Sequence, residues 1–151
     1  MELSPTAFAD SESIGVIAEQ EAMAILVVDD EARLRQTIAR WLVARGYRVD
    51  EAATRGDAVV AIGRARYDLL LLDVNLPDAT GWDVLRDLDA AGRSLPTVVF
   101  SAVPPSARRV REFRPFGVLH KPFPMEALLR LVRSAESARR TGFHVPDVTP
   151  N

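Results

Sequence analysis

Ala24-Ile25-Leu26-Val27-Val28-Asp29-Asp30-Glu31 decides the fold of this chain. Five consecutive apolar residues, with no polar alternation, are what a strand buried on both faces requires. The run stops abruptly at three carboxylates. The same grammar recurs at Asp68-Leu69-Leu70-Leu71-Leu72-Asp73 and at Pro96-Thr97-Val98-Val99-Phe100-Ser101. A shorter version, Phe116 to His120, is followed by Lys121, and Tyr47 to Ala52 reads as one more strand.

Helical patterns separate these runs. Leu34, Ile38, Trp41 and Leu42 recur at spacings of three and four, and Gly46 follows as a glycine past a helix does. Thr54 to Asp57 is a turn leading into a short helix that ends near Arg66. A helix over Trp82 to Ala91 points Val84, Leu85 and Leu88 inward. Pro104, Pro105 and Pro115 leave room only for a short arginine-rich helix, Ser106 to Phe113, because proline inside a helix costs about 3 kcal/mol. Pro124 opens a last helix to about Arg139, a first turn being where proline is tolerated. Strand and helix alternate five times. That pattern predicts an α/β fold: a five-stranded parallel sheet, doubly wound, with helices on both faces.

The predicted boundaries are a flexible acidic leader over residues 1–22, a folded domain over 23–140 and a flexible tail over 141–151. The leader carries Glu2, Asp10, Glu12, Glu19 and Glu21 and no basic side chain. A secretory signal needs a positive start and an apolar centre, and no apolar run has the length of a membrane span. The expected location is the cytoplasm, with no membrane partner. The absence of cysteine removes disulfides, thiolate metal sites and thiol catalysis. A net charge of −2 gives no reason to expect nucleic-acid binding, and no DNA-reading module is recognisable.

In doubly wound sheets, ligands bind beyond the carboxyl ends of the strands. Those ends carry Asp29, Asp30, Asp73, Ser101 and Lys121. Two carboxylates about 4 Å apart repel by roughly 4 kcal/mol at an effective dielectric near 20. One ammonium does not offset three of them. Hard oxygen ligands with few protein donors suit magnesium, so the cluster implies Mg2+ and an anionic ligand. Lys121 is the chain's single lysine; the other 18 of 19 basic residues are arginine. A lysine delivers a compact point charge where arginine presents a wide planar fork.

The same residues carry a family resemblance across about Ala24 to Arg139. Ile25 to Glu31, Asp68 to Asp78, Gly81-Trp82, Ser101-Ala102 and Lys121-Pro122-Phe123, in that order and rough spacing, resemble the receiver domain of two-component response regulators. The resemblance implies strand order 2-1-3-4-5. It implies Asp73 as phosphoacceptor, attacking a phosphohistidine of a sensor histidine kinase or histidine phosphotransfer protein. Asp30 would ligate Mg2+ directly, Asp29 through water, and Asp73 and the backbone carbonyl of Asn75 would complete the set. Ser101 and Lys121 would each meet a phosphoryl oxygen. The expected function is a stand-alone receiver that signals to an unknown downstream protein by phosphorylation-dependent binding or onward transfer. It would catalyse only its own phosphorylation and dephosphorylation.

Val118 stands where the family carries an aromatic ring that swings with phosphorylation, and the stretch from Ser101 to Lys121 is about two residues short. The alternative expectation is therefore a degenerate receiver, a constitutive interaction module with no switch. Asn75 also argues against a phosphohydrolase, which would carry a second acid–base carboxylate there. Plainer roles stand beside each reading. Asp29 to Glu31 suit a helix start, Asp73 suits a loop cap, and the arginines of the second half suit a solvated face. Trp41 and Trp82 read as packing residues, and His120 and His144 as structural or solvated.

Overall fold

A computed structural model of the chain describes residues 22–141. The leader's predicted flexibility, His144 and nearly all of the tail lie outside the described residues. The strands are β1 (Ala24–Val28), β2 (Arg48–Ala52), β3 (Leu69–Asp73), β4 (Thr97–Ser101) and β5 (Gly117–His120). The helices are α1 (Ala32–Val43), α2 (Arg55–Arg64), α3 (Gly81–Ala90), α4 (Ala107–Phe113) and α5 (Met125–Arg140). All strand pairs are parallel and the order is β2-β1-β3-β4-β5.

Every residue of β1, β3 and β4 is buried. Alternate side chains divide between two cores, as the two-residue period of a strand demands. Ile25, Val27, Leu69, Leu71, Val98, Phe100 and Leu119 face one way and pack with Ile38 and Leu42 of α1 and Leu128 and Val132 of α5. Leu26, Val28, Leu70 and Leu72 face the other way, onto Ala58 and Ile62 of α2 and Val84 and Leu88 of α3. Each fully buried Leu, Ile or Val is worth about 1.5–3 kcal/mol, so these three strands anchor the domain.

The helix α4 is different. None of its residues is buried. It is tied to α3 by Phe113 stacked on Trp82, with ring centroids 5.2 Å apart, and by Arg86 reaching Glu112. Trp82 is thus a packing residue, as expected, and Trp41 lies under the Arg45 guanidinium.

Four predicted strands begin one residue late, β3 among them, where Asp68 N donates to the Ala24 carbonyl before pairing starts. Leu70 N donates to the Pro96 carbonyl and Phe116 N to the Thr97 carbonyl, so those residues make a single ladder bond before pairing starts. Tyr47 N turns back to the Leu42 carbonyl of α1 instead. Pro124 is the cap before α5 rather than a residue of its first turn.

Candidate functional site

The sheet register builds the site as a staircase. Val28 pairs with Leu72, so the residues that follow, Asp29 and Asp73, leave the sheet side by side. Asp73 pairs with Phe100, which places Ser101 one step on. Ser101 pairs with His120, which places Lys121 one step further. Asp29, Asp73 and Lys121 continue the rows of Val27, Leu71 and Leu119, whose side chains share one face. That common parity brings groups far apart in sequence together.

Lys121 Nζ donates to Asp29 Oδ2 and Asp73 Oδ2, each at 3.0 Å. Asp29 is fully buried and Asp73 nearly so, while Asp30 is exposed beside them. One carboxylate oxygen from each of the three lies within 4.8 Å of the others. The backbone fixes them further. Asp29 Oδ1 accepts from Glu31 N at 2.9 Å and Asp73 Oδ1 from Asn75 N at 3.1 Å. The strand ends thus bring Asp29, Asp30, Asp73, Ser101 and Lys121 to one edge, with Asn75 two residues past Asp73.

Three ionised carboxylates and one ammonium leave two negative charges in a mostly buried site. Burial pushes the Asp73 carboxyl above its usual value, the Asp29 charge adds to that, and Lys121 and Asn75 N oppose it. Burial alone would lower the Lys121 ammonium. Its hydrogen bonds to Asp29 and Asp73 outweigh that and raise it. Lys121 therefore stays cationic while Asp73 carries an unrelieved cost. The donor set is all oxygen, hard and doubly negative in excess, which fits a divalent cation of the magnesium type.

Ser101 is buried at the end of β4, but its hydroxyl is occupied. It donates to the Val103 carbonyl and accepts from Val103 N. Residues that composition did not mark also shape the site. Arg35 of α1 donates to the Asp29 carbonyl at 2.8 Å and pairs with Glu51 at 3.0 Å. A Cβ on Gly81 would lie 2.4 Å from the Asp73 carbonyl oxygen. Asn75 and Thr80 bridge across the loop, and Thr80 with Asp83 forms a capping box that starts α3. The Thr80-x-x-Asp83 spacing was visible in the sequence; the approach of Gly81 was not.

Val118 is partly exposed on the edge strand and His120 is exposed. Among the described residues no helix is long and apolar enough to cross a membrane.

A family model described as the response regulator receiver domain matches residues 25–133. The transcriptional regulatory protein ResD of Bacillus subtilis is 37% identical over 123 residues, covering 79% of this chain and 50% of that protein. The probable transcriptional regulatory protein SilR of Salmonella typhimurium is 34% identical over 114 residues, covering 74% and 50%. The chain spans about half the length of the curated relatives it matches. Among solved structures, the chemotaxis response regulator CheY4 of Vibrio cholerae superposes with a TM-score of 0.70 at 26% identity, covering 76% of this chain and 98% of that one. With its five parallel strands, its acidic strand-end cluster and a family match over most of its length, the chain belongs to the response regulator receiver domains, the signalling modules of two-component systems.

Proposed function

We propose that Asp73 accepts a phosphoryl group from a phosphohistidine of a sensor histidine kinase or histidine phosphotransfer protein. The observation that carries this reading is the Lys121 ammonium held 3.0 Å from Asp73 and Asp29 within the three-carboxylate cluster. An aspartate carboxylate is an established type of covalent nucleophile. One of its oxygens attacks phosphorus in line with the departing imidazole. The P–N bond breaks, and the product is an acyl phosphate on Asp73.

This transfer needs positioning and charge neutralisation more than covalent help from the protein. The hydrogen bonds from Asn75 N and Lys121 fix the Asp73 carboxylate before any partner arrives. The Asp30 and Asp73 side chains and the Asn75 backbone carbonyl would hold Mg2+, with Asp29 acting through water. Bound there, the ion would supply positive charge against the phosphoryl oxygens. Lys121, already between two carboxylates, would give up part of that pairing to meet a phosphoryl oxygen. Ser101 would exchange the Val103 carbonyl for another, which frees the backbone just after β4.

The fine reading is a cytoplasmic receiver domain with no nucleic-acid contact of its own. It would signal to a downstream protein by phosphorylation-dependent binding or onward transfer, and catalyse nothing beyond gain and loss of its own phosphate. Incubation with acetyl phosphate and Mg2+, followed by intact mass, tests the chemistry. Wild type should gain one phosphoryl group and Asp73→Asn none; an unmodified wild type, or an equal gain in the variant, refutes it.

A second reading has its own support. Val118 has no ring to swing, and the Ser101 hydroxyl is tied to Val103. A receiver so arranged would bind its partner constitutively. Equal partner affinity with and without phosphorylation would select that reading.

A further inference from the structure

The pole opposite the phosphoacceptor is built from strand starts and helix ends, and arginine dominates it. Arg48 opens β2 and pairs in register with Ala24, the first residue of β1. Arg64 closes α2, Arg66 follows it, and Arg93 follows α3. All four are exposed. Within the described residues, Arg48, Arg64 and Arg66 make no side-chain hydrogen bond or ion pair.

An open cleft of about 620 Å³ lies here, lined by Ile62, Arg64, Arg66, Tyr67, Asp68 and Arg93 among others. Its acid, Asp68, is already engaged: it pairs with Arg139 at 3.0 Å and accepts from Ala24 N at 2.9 Å. Arg93 donates to the Ile62 carbonyl at the end of α2 and forms one wall.

The Asp68 bond to Ala24 matters because it fixes where the preceding chain leaves the body. Asp68 N also donates to the Ala24 carbonyl at 2.7 Å. Ala24, where the described chain enters the sheet, therefore lies at the rim of this cleft. Residues 1–21 hold five carboxylates and no basic side chain, whereas all 19 basic residues and 16 of the 21 acids lie beyond them. The leader carries −5 and the remainder +3.

We propose that the acidic leader, residues 1–21, docks in this cleft, its carboxylates against Arg64, Arg66 and Arg93. Glu21 and Glu19 stand two and four residues before Met23, which is fixed in the core, a reach of up to about 14 Å at roughly 3.3–3.6 Å per residue. A short tether gives the segment an effective concentration in the millimolar range, so weak ion pairing is enough to populate the docked state. The contact is electrostatic and exposed, so it weakens as the screening length falls to about 3 Å near 1 M salt. It does not depend on the phosphoryl chemistry at the other pole.

The chain has no cysteine, so a Ser13→Cys variant carries a single nitroxide label in the full-length protein. Amide NMR signals of residues 62–68 and Arg93 should be selectively broadened at low salt and recover at high salt. Arg64→Glu with Arg66→Glu should remove the effect while the amide pattern of the sheet stays unchanged. Three results overturn the proposal: no selective broadening, broadening centred on the α4 and α5 arginines, or broadening that persists in the double arginine variant. Broadening that grows with protein concentration overturns it too, because the leader would then be reaching a second molecule.

Discussion

Replacing Lys121 with methionine isolates the electrostatics of the site. Methionine keeps an unbranched stem and removes the charge. In wild type the ammonium stands between Asp29 and Asp73, whose side chains are 0% and 6% exposed. Without it, two buried carboxylates face each other with oxygens within 4.8 Å, a repulsion of about 3.5 kcal/mol at an effective dielectric of 20. Removing one partner of a buried pair typically costs 3–5 kcal/mol, which is the same size. The expected loss in chelator is therefore about 3–4 kcal/mol, out of a total stability of about 5–15 kcal/mol for a domain. Urea unfolding followed by tryptophan fluorescence reads it. Adding Asp73→Asn to the variant should return most of the loss, because the repelling pair is gone. Mg2+ at about 100 times its Kd should add about 2.7 kcal/mol to wild type, and restore the single variant as well. Lys121→Met within about 0.5 kcal/mol of wild type, the range of an ordinary surface change, refutes the arrangement. So does a double variant no more stable than the single one.

Four further outcomes rest on the same structure. Asp73→Asn alone should raise the melting temperature in metal-free buffer at neutral pH, read by calorimetry. The Asp73 carboxyl is raised in the fold by burial and by Asp29, so folded Asp73 holds a proton more tightly than unfolded Asp73. That contribution favours folding in acid and is lost as pH rises through the raised value; the variant's advantage should therefore shrink on acidification. Tyr67, pushed up to about 12 by burial and its bond to Asp50, should titrate near that pH in ultraviolet absorbance, and earlier in Asp50→Asn. Gly81→Ala should cost about 1–3 kcal/mol in urea unfolding, as overpacking does, because the new Cβ meets the Asp73 carbonyl and the Val74 backbone. It should also slow phosphorylation by acetyl phosphate. Leu71→Ala in the centre of the sheet should cost about 2–5 kcal/mol by the same unfolding measurement.

The sheet was legible because β1, β3 and β4 are buried on both faces, and only an unbroken apolar run meets that demand. The clustering of Asp29, Asp73 and Lys121 was legible for a related reason. A run that ends abruptly in a charge marks the carboxyl end of a buried strand, and a parallel sheet gathers all such ends at one edge. What the residues did not disclose depends on register and backbone approach. That Val28 faces Leu72, and Ser101 faces His120, is decided by pairing across the sheet. No local spacing encodes it. The nearness of Gly81 to the Asp73 carbonyl comes from the loop turning back on itself through Asn75 and Thr80. Boundaries slipped by one residue where a carbonyl or amide contributes a single ladder bond, a distinction no side chain records.

Ser101 shows a different kind of limit. Its type and position marked it as a donor for the site, and the fold places it there. The partner of its hydroxyl, however, is the Val103 backbone. A hydroxyl is one rotor with one proton, and it donates to whichever acceptor is in reach. Here the neighbouring Val103 carbonyl is that acceptor. Sequence can say that a donor stands at a strand end; which acceptor it serves is set by what is bound. The Ser101 contact and the Asp73 charge therefore belong to one question. If Asp73 becomes an acyl phosphate, the competing acceptor arrives within the same cluster, and the Val103 amide exchange rate should rise on phosphorylation. An exchange rate that stays constant through the modification would show that Ser101 keeps its backbone partner and takes no part in the response.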